Sequence, residues 1–114
     1  MDDEISVTLV TGFNMIANPY AMAICPNGEF FEVAGAVAGG AADEADSILV
    51  WDGSNYSKVY YFDDWDNNWY DTDDIDNAVD TGILKPMMGF WYKHIGEGGT
   101  LTFKRPYPKS SSND

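Results

Sequence analysis

Basic residues are scarce in this chain: six lysines and arginines stand against nineteen aspartates and glutamates, for a net charge of −13. That balance excludes nucleic acid as a partner, because phosphate binding needs clustered cations. Adsorption to anionic lipid is disfavoured for the same reason. A single cysteine, Cys25, rules out an internal disulfide and any cysteine-based zinc site. With an apolar run before it and Pro26 after it, Cys25 reads as a small buried hydrophobe rather than a nucleophile. Histidine is equally rare, so a histidine metal site or a Cys–His pair would rest on Cys25 and His94 alone. His94 follows Lys93 near a strand end and reads as a surface or half-buried side chain. No apolar run approaches the roughly twenty residues of a membrane span, so no membrane insertion is expected. Met1 is followed by Asp2, Asp3 and Glu4 rather than a basic leader, which fits a cytosolic protein or a mature chain restarted with methionine.

Catalytic signatures are missing as well. Gly96-Glu97-Gly98-Gly99 lacks the following helix and the lysine of a phosphate loop. There is no nucleophile elbow or zinc motif, and a pair of carboxylates can always be picked from nineteen. No enzyme is expected and no residue is assigned a catalytic role.

What the chain does have is period-two alternation. At 114 residues, 45% hydrophobic and 15% aromatic, it is long enough to bury a core as one domain. Ile5–Leu9, Phe13–Ala17, Glu29–Val33, Ser47–Trp51, Tyr56–Phe62, Met87–Ile95 and Thr100–Lys104 read as strands, with Trp69–Asp71 as a shorter one. Asn18-Pro19, Pro26-Asn27-Gly28, Asp52-Gly53-Ser54-Asn55 and Gly96–Gly99 punctuate them. Ala41–Ala45 and Asp76–Ala78 each suggest one helical turn. About eight short strands at this spacing predict an all-β fold, an antiparallel β-sandwich or small barrel. The domain covers residues 1–104 and a proline- and serine-containing tail covers 105–114.

The order of blocks also carries a resemblance. Gly12-Phe13-Asn14-Met15-Ile16-Ala17-Asn18-Pro19-Tyr20, Asp46–Gly53 with its Ile-Leu-Val-Trp-Asp-Gly run, Gly89-Phe90-Trp91-Tyr92-Lys93 and Thr100-Leu101-Thr102-Phe103 follow one another. This is similar to a β-rich domain of exported proteins from Verrucomicrobia, Lentisphaerae and Planctomycetes, with a related pattern in secreted Bacteroidetes proteins. The resemblance spans about residues 5–104 and departs from the pattern at Lys85-Pro86-Met87-Met88-Gly89. It implies an extracellular or cell-surface β-module without enzymatic activity.

The segment Asp63–Asp80 concentrates eight of the nineteen acids and no lysine or arginine. Asp63, Asp64, Asp66, Asn68, Asp71, Asp73, Asp74 and Asp76 could supply oxygen ligands for Ca²⁺; the alternative is a solvated acidic loop. The spacing Asp64-x-Asp66-x-Asn68 opens like an EF-hand, but Trp69 stands where its glycine belongs and Ile75 where its glutamate belongs. The same segment holds Trp65, Trp69 and Tyr70. Trp65 and Trp69 sit in polar sequence and are expected at the surface, whereas Trp51 and Trp91 lie in strong strands and are expected inside. Residues 1–84 hold seventeen acids and one base, Lys58, for −16; residues 85–114 hold five bases and two acids, for +3. The basic end can fold back beside the acidic body or meet that of a neighbouring copy. The expectation is a self-associating structural or adhesive module, a homo-oligomer or filament, with Trp65, Trp69 and Tyr70 meeting Lys104 and Arg105 of a neighbour. The alternative is a carbohydrate-binding module that stacks glycan on exposed tryptophan and tyrosine.

Overall fold

Alternation does produce strands, and in a computed structural model they form two antiparallel sheets. The structure describes residues 4–51, 54–55, 58–86 and 88–104. Nine strands follow in order: β1 (Glu4–Leu9), β2 (Gly12–Ala17), β3 (Phe31–Ala34), β4 (Ser47–Val50), β5 (Lys58–Phe62), β6 (Trp69–Asp71), β7 (Asp74–Ala78), β8 (Gly89–His94) and β9 (Gly99–Lys104). A three-residue 3₁₀ turn at Ala42–Glu44 is where a helical turn was expected. The smaller sheet runs β1-β9-β3 and the larger runs β2-β8-β4-β5-β6-β7, giving an all-β sandwich. Asp52, Gly53, Tyr56, Ser57, Met87, Arg105 and the 105–114 tail lie outside the described residues.

Register explains which side chains go inside. In the smaller sheet Phe103 stands opposite Ile5 and Phe31, and Leu101 opposite Val7 and Val33. These point inward, because alternate residues of a strand share a face. In the larger sheet Ile16, Phe90, Tyr92, Ile48, Tyr60 and Trp69 face them. Trp69 is the central piece of this core: its ring meets Phe31 at 6.3 Å, Phe62 at 5.1 Å and Tyr92 at 5.8 Å, joining one sheet to the other.

Two expectations need correction. Asp76–Ala78 is not helical but belongs to edge strand β7, because the backbone of β6 offers it hydrogen-bond partners that a lone turn lacks. Its Asp74, Asp76 and Asn77 suit an edge, where charge discourages further pairing. Trp69 is only 3% exposed rather than at the surface, while Trp51 is 41% exposed just beyond the end of β4. Trp69 opens β6 in the phase that faces the core, and tertiary packing overrides its polar neighbours in sequence.

The irregular segments are held by asparagines. Asn18 is buried; its Nδ2 donates to Met22 O at 2.7 Å and Leu84 O at 3.0 Å, and its Oδ1 accepts from Tyr20 N at 2.9 Å. Asn27 clasps Trp69 through both backbone groups, accepting from its N at 2.6 Å and donating to its O at 2.9 Å. The same amide donates to Val79 O at 2.8 Å. One side-chain amide offers both donors and an acceptor, so it can replace a strand partner where pairing fails. Gly39 pairs beside Asp63, and a Cβ there would overlap the Glu44 carbonyl, so only glycine fits.

Candidate functional site

The acidic segment resolves into two turns rather than one loop. Six residues, Asp63–Asn68, join β5 to β6. Asp63 Oδ2 accepts from Trp65 N at 3.0 Å, Asp66 Oδ1 from Asn68 N at 3.2 Å, and Asn67 takes a left-handed φ of 58°. Asp71 Oδ1 accepts from Asp73 N at 2.8 Å in the β6–β7 turn. Aspartate and asparagine bond to the backbone two residues on, which is why turns favour them. The acid-rich composition is therefore partly turn chemistry.

Among the described residues no group of three or more His, Cys, Asp or Glu side chains is placed to hold a metal ion. Asp63, Asp64, Asp66, Asn68, Asp71, Asp73, Asp74 and Asp76 are strung along two turns and an edge strand instead of converging. Asp66 Oδ2 is taken by the Tyr70 hydroxyl at 2.6 Å. Donating that bond raises the Tyr70 phenol to about 12, and accepting it lowers the Asp66 carboxyl. Lys58 Nζ binds Asp71 Oδ2 at 2.6 Å and reaches Asp73 Oδ2 at 3.4 Å. Burial pushes the Asp71 carboxyl up, but the Lys58 bond and the Asp73 amide outweigh it, so the net direction is down.

The expected anchors do not form one surface. Trp65 stands 88% exposed at the β5–β6 turn, Trp69 lies in the core, and Tyr70 is half-buried against Tyr61 at 6.4 Å between ring centres. Lys104 closes β9 on the other sheet, where Nζ pairs with Glu32 Oε1 at 3.0 Å. Arg105 is outside the described residues.

The outer faces of the two sheets differ sharply in chemistry. Outside the smaller sheet lie Ser6, Thr102 and Glu32 in register, with Ser6 Oγ 3.0 Å from Thr102 Oγ1. Outside the larger sheet, Met15, Trp91, Leu49 and Val59 line up across β2, β8, β4 and β5. Phe13, Lys93, Ser47 and Tyr61 form the adjacent row. Phe13 is 57% and Met15 51% exposed, and the Phe13 ring meets Trp91 edge-on at 6.0 Å with Lys93 Nζ also 6.0 Å from its centre. A shallow, mostly apolar groove of about 220 Å³ lies between Phe13, Leu49, Val59, Ala42, Asp43 and Lys93. Trp91 corrects the expectation of an inward side chain: it lies on the outer face of the larger sheet, opposite Met15 and Leu49. The signal that could have placed it outside is its phase, shared with Lys93 and opposed to Phe90 and Tyr92.

A second polar cluster is wholly internal. Asp46 Oδ2 is 2.6 Å from the Tyr92 hydroxyl and 2.8 Å from His94 Nδ1, while Oδ1 accepts from Ile95 N at 2.9 Å. His94 Nε2 lies 2.6 Å from Gly98 O. Asp46, Tyr92 and His94 are all fully buried, which corrects the expected half-exposed His94. Burial, then the bond to Asp46, pushes the Tyr92 phenol far above its ordinary range. No substrate reaches a cluster closed to solvent, so its chemistry is structural: it ties β8, the 95–98 turn and the start of β4 together. Cys25 is half-buried against the core, its thiol 3.4 Å from Val79 O.

Comparison with family models, curated proteins and solved structures gave no match. No helix of the described residues is long and apolar enough to cross a membrane.

Proposed function

We propose that this chain is a non-catalytic structural or adhesive β-module of the extracellular or cell-surface setting that associates with copies of itself through the outer face of the six-stranded sheet. The observation that supports this reading is the apolar row Met15–Trp91–Leu49–Val59, flanked by Phe13, on a face turned away from the core. Contiguous apolar patches on soluble domains mark interaction sites, and the Ser/Thr face of the smaller sheet shows no such patch. A second copy suits the face on charge grounds. Lys93 and Asp43 line the same groove, so a twofold packing can set each lysine against the partner copy's aspartate. Elsewhere a net charge of −13 makes two copies repel, and the nearly neutral sheet face is where approach costs least.

Sedimentation velocity over a concentration series tests the reading. Phe13→Glu together with Met15→Lys removes the apolar contact at exposed positions without touching the core. Association by the parent and its loss in the double variant support the proposal; a parent that stays monomeric at every concentration and salt sinks it.

Carbohydrate binding is the second reading, favoured by Trp65, whose ring is 88% exposed and free to stack on a sugar face. A glycan array probed with the parent and with Trp65→Ala separates it from self-association.

A further inference from the structure

The smaller sheet ends at β3, whose far edge has no strand beside it among the described residues. One bond sets the phase of its ladder. Lys104 N donates to Phe30 O at 2.8 Å, and the register places Phe31 opposite Phe103 and Glu32 opposite Thr102. Opposed residues of an antiparallel pair exchange hydrogen bonds alternately. Glu32 and Ala34 therefore turn their backbone groups to β9, while Phe31 and Val33 turn theirs to the free edge. Among the described residues nothing hydrogen-bonds the N–H or C=O of Phe31 or Val33. Phe31 is nevertheless only 5% exposed, and backbone groups so placed ordinarily have a partner. The edge borders a trough of about 260 Å³, with Phe31 and Val33 on one wall and Phe62, Asn67, Asn68 and Trp69 on the other. Free strand edge and side-chain amides together suit an extended main chain, which repeats a donor and an acceptor at every second residue along each side. A sugar has no such repeat.

We propose that residues 105–109 of a neighbouring copy add to this edge as a fourth strand of the smaller sheet, with the Tyr107 ring in the trough. The sequence of that segment, which lies outside the described residues, has the matching pattern. In Arg105-Pro106-Tyr107-Pro108-Lys109 every second residue keeps its N–H and the prolines between have none. Such a segment can pair along one edge only, which is the place in a sheet where proline is tolerated. Proline also holds the residue before it extended, so Arg105 and Tyr107 lose little freedom on pairing. Residues directly opposite across a ladder share a face, which sets Arg105, Tyr107 and Lys109 on the trough side with Phe31 and Val33. Charge agrees, because the β5–β6 turn beside the trough carries Asp63, Asp64 and Asp66 against the two bases. The segment is not the chain's own. Arg105 follows Lys104 of β9 directly, and β3 separates β9 from the free edge. That edge is two strand spacings off, about 10 Å, whereas one residue spans ~3.8 Å. A contact from one copy's tail to the next copy's trough is head-to-tail, so it closes into rings or runs on as filaments. It is a second contact, separate from the apolar face of the larger sheet.

The test is a titration of the full chain, at a concentration where it sediments as a monomer, with the synthetic peptide acetyl-Arg-Pro-Tyr-Pro-Lys-amide. Saturable amide NMR shifts at Phe31, Val33 and Asn68 support the site. The same peptide methylated on the tyrosine nitrogen keeps every side chain and loses the central N–H, so it should bind about tenfold more weakly. In the full chain, Tyr107→Pro removes that N–H outside the sandwich. It should abolish whatever association remains in the Phe13→Glu, Met15→Lys variant, which separates this contact from the sheet face. Equal binding of the methylated peptide, shifts confined to Phe13, Met15 and Trp91, equal shifts with cellotriose, or no saturable shift would each overturn the proposal.

Discussion

His94 Nδ1 lies 2.8 Å from Asp46 Oδ2, and neither side chain reaches solvent. The pair joins positions 48 residues apart and, with Tyr92 and Ile95, takes up both oxygens of one carboxylate. Replacing Asp46 by asparagine keeps the shape but leaves one acceptor where three groups now meet two. Asp46→Asn should lower unfolding free energy by about 2–4 kcal/mol, because a buried group left unpaired costs more than the bond itself returned. Urea denaturation measures it. A loss comparable to that of a surface substitution would show that the cluster is not holding the 95–98 turn.

The clasp on Trp69 gives a second expectation. Asn27→Ala removes three hydrogen bonds to the backbone of Trp69 and Val79. It should cost about 2–4 kcal/mol and shift tryptophan emission to the red as water reaches the indole. Trp69→Phe in the same background isolates that signal.

Trp65 supplies the contrast. At 88% exposure its indole packs on nothing that folding depends on, so Trp65→Ala should change unfolding free energy by no more than about 0.5 kcal/mol. A larger loss would place the indole against a part of the protein.

Alkaline titration tests the Tyr70–Asp66 bond. The Tyr70 phenol is raised from 10.0 to about 12 by the bond it donates to Asp66. A folded value above the unfolded one contributes stability that is present below pH 10 and lost as pH rises through about 12. Absorbance of phenolate should therefore show one tyrosine ionising near 12, absent in Tyr70→Phe. Asp66 works in the opposite sense: its carboxyl is lowered, so its contribution holds above the ordinary value of 3.8 and fades in acid.

Calcium offers the fifth measurement. The turn aspartates already bond to backbone amides, Lys58 and Tyr70 rather than converging. The melting temperature should be the same in Ca²⁺ as in EDTA; a clear rise with Ca²⁺ and not with Mg²⁺ would mean that these side chains rearrange to bind it.

By itself the sequence determined the positions of eight strands, because period-two alternation and turn residues act locally, whereas edge strand β7 read as a helical turn. It also determined the phase within each strand: Phe90, Tyr92 and His94 share one parity and Trp91 and Lys93 the other, so His94 was readable as an inward residue. The stacking of sheets alone decided which of two apolar faces became the core. Trp69 went inside because Phe31, Phe62 and Tyr92 arrive around it from three other strands. Trp91 and Met15 stayed outside because the smaller sheet packs on their opposite side. The same holds for the Asp46–His94 contact, which is assembled from residues 48 apart in the chain, and a local pattern carries no information on which distant strands will meet.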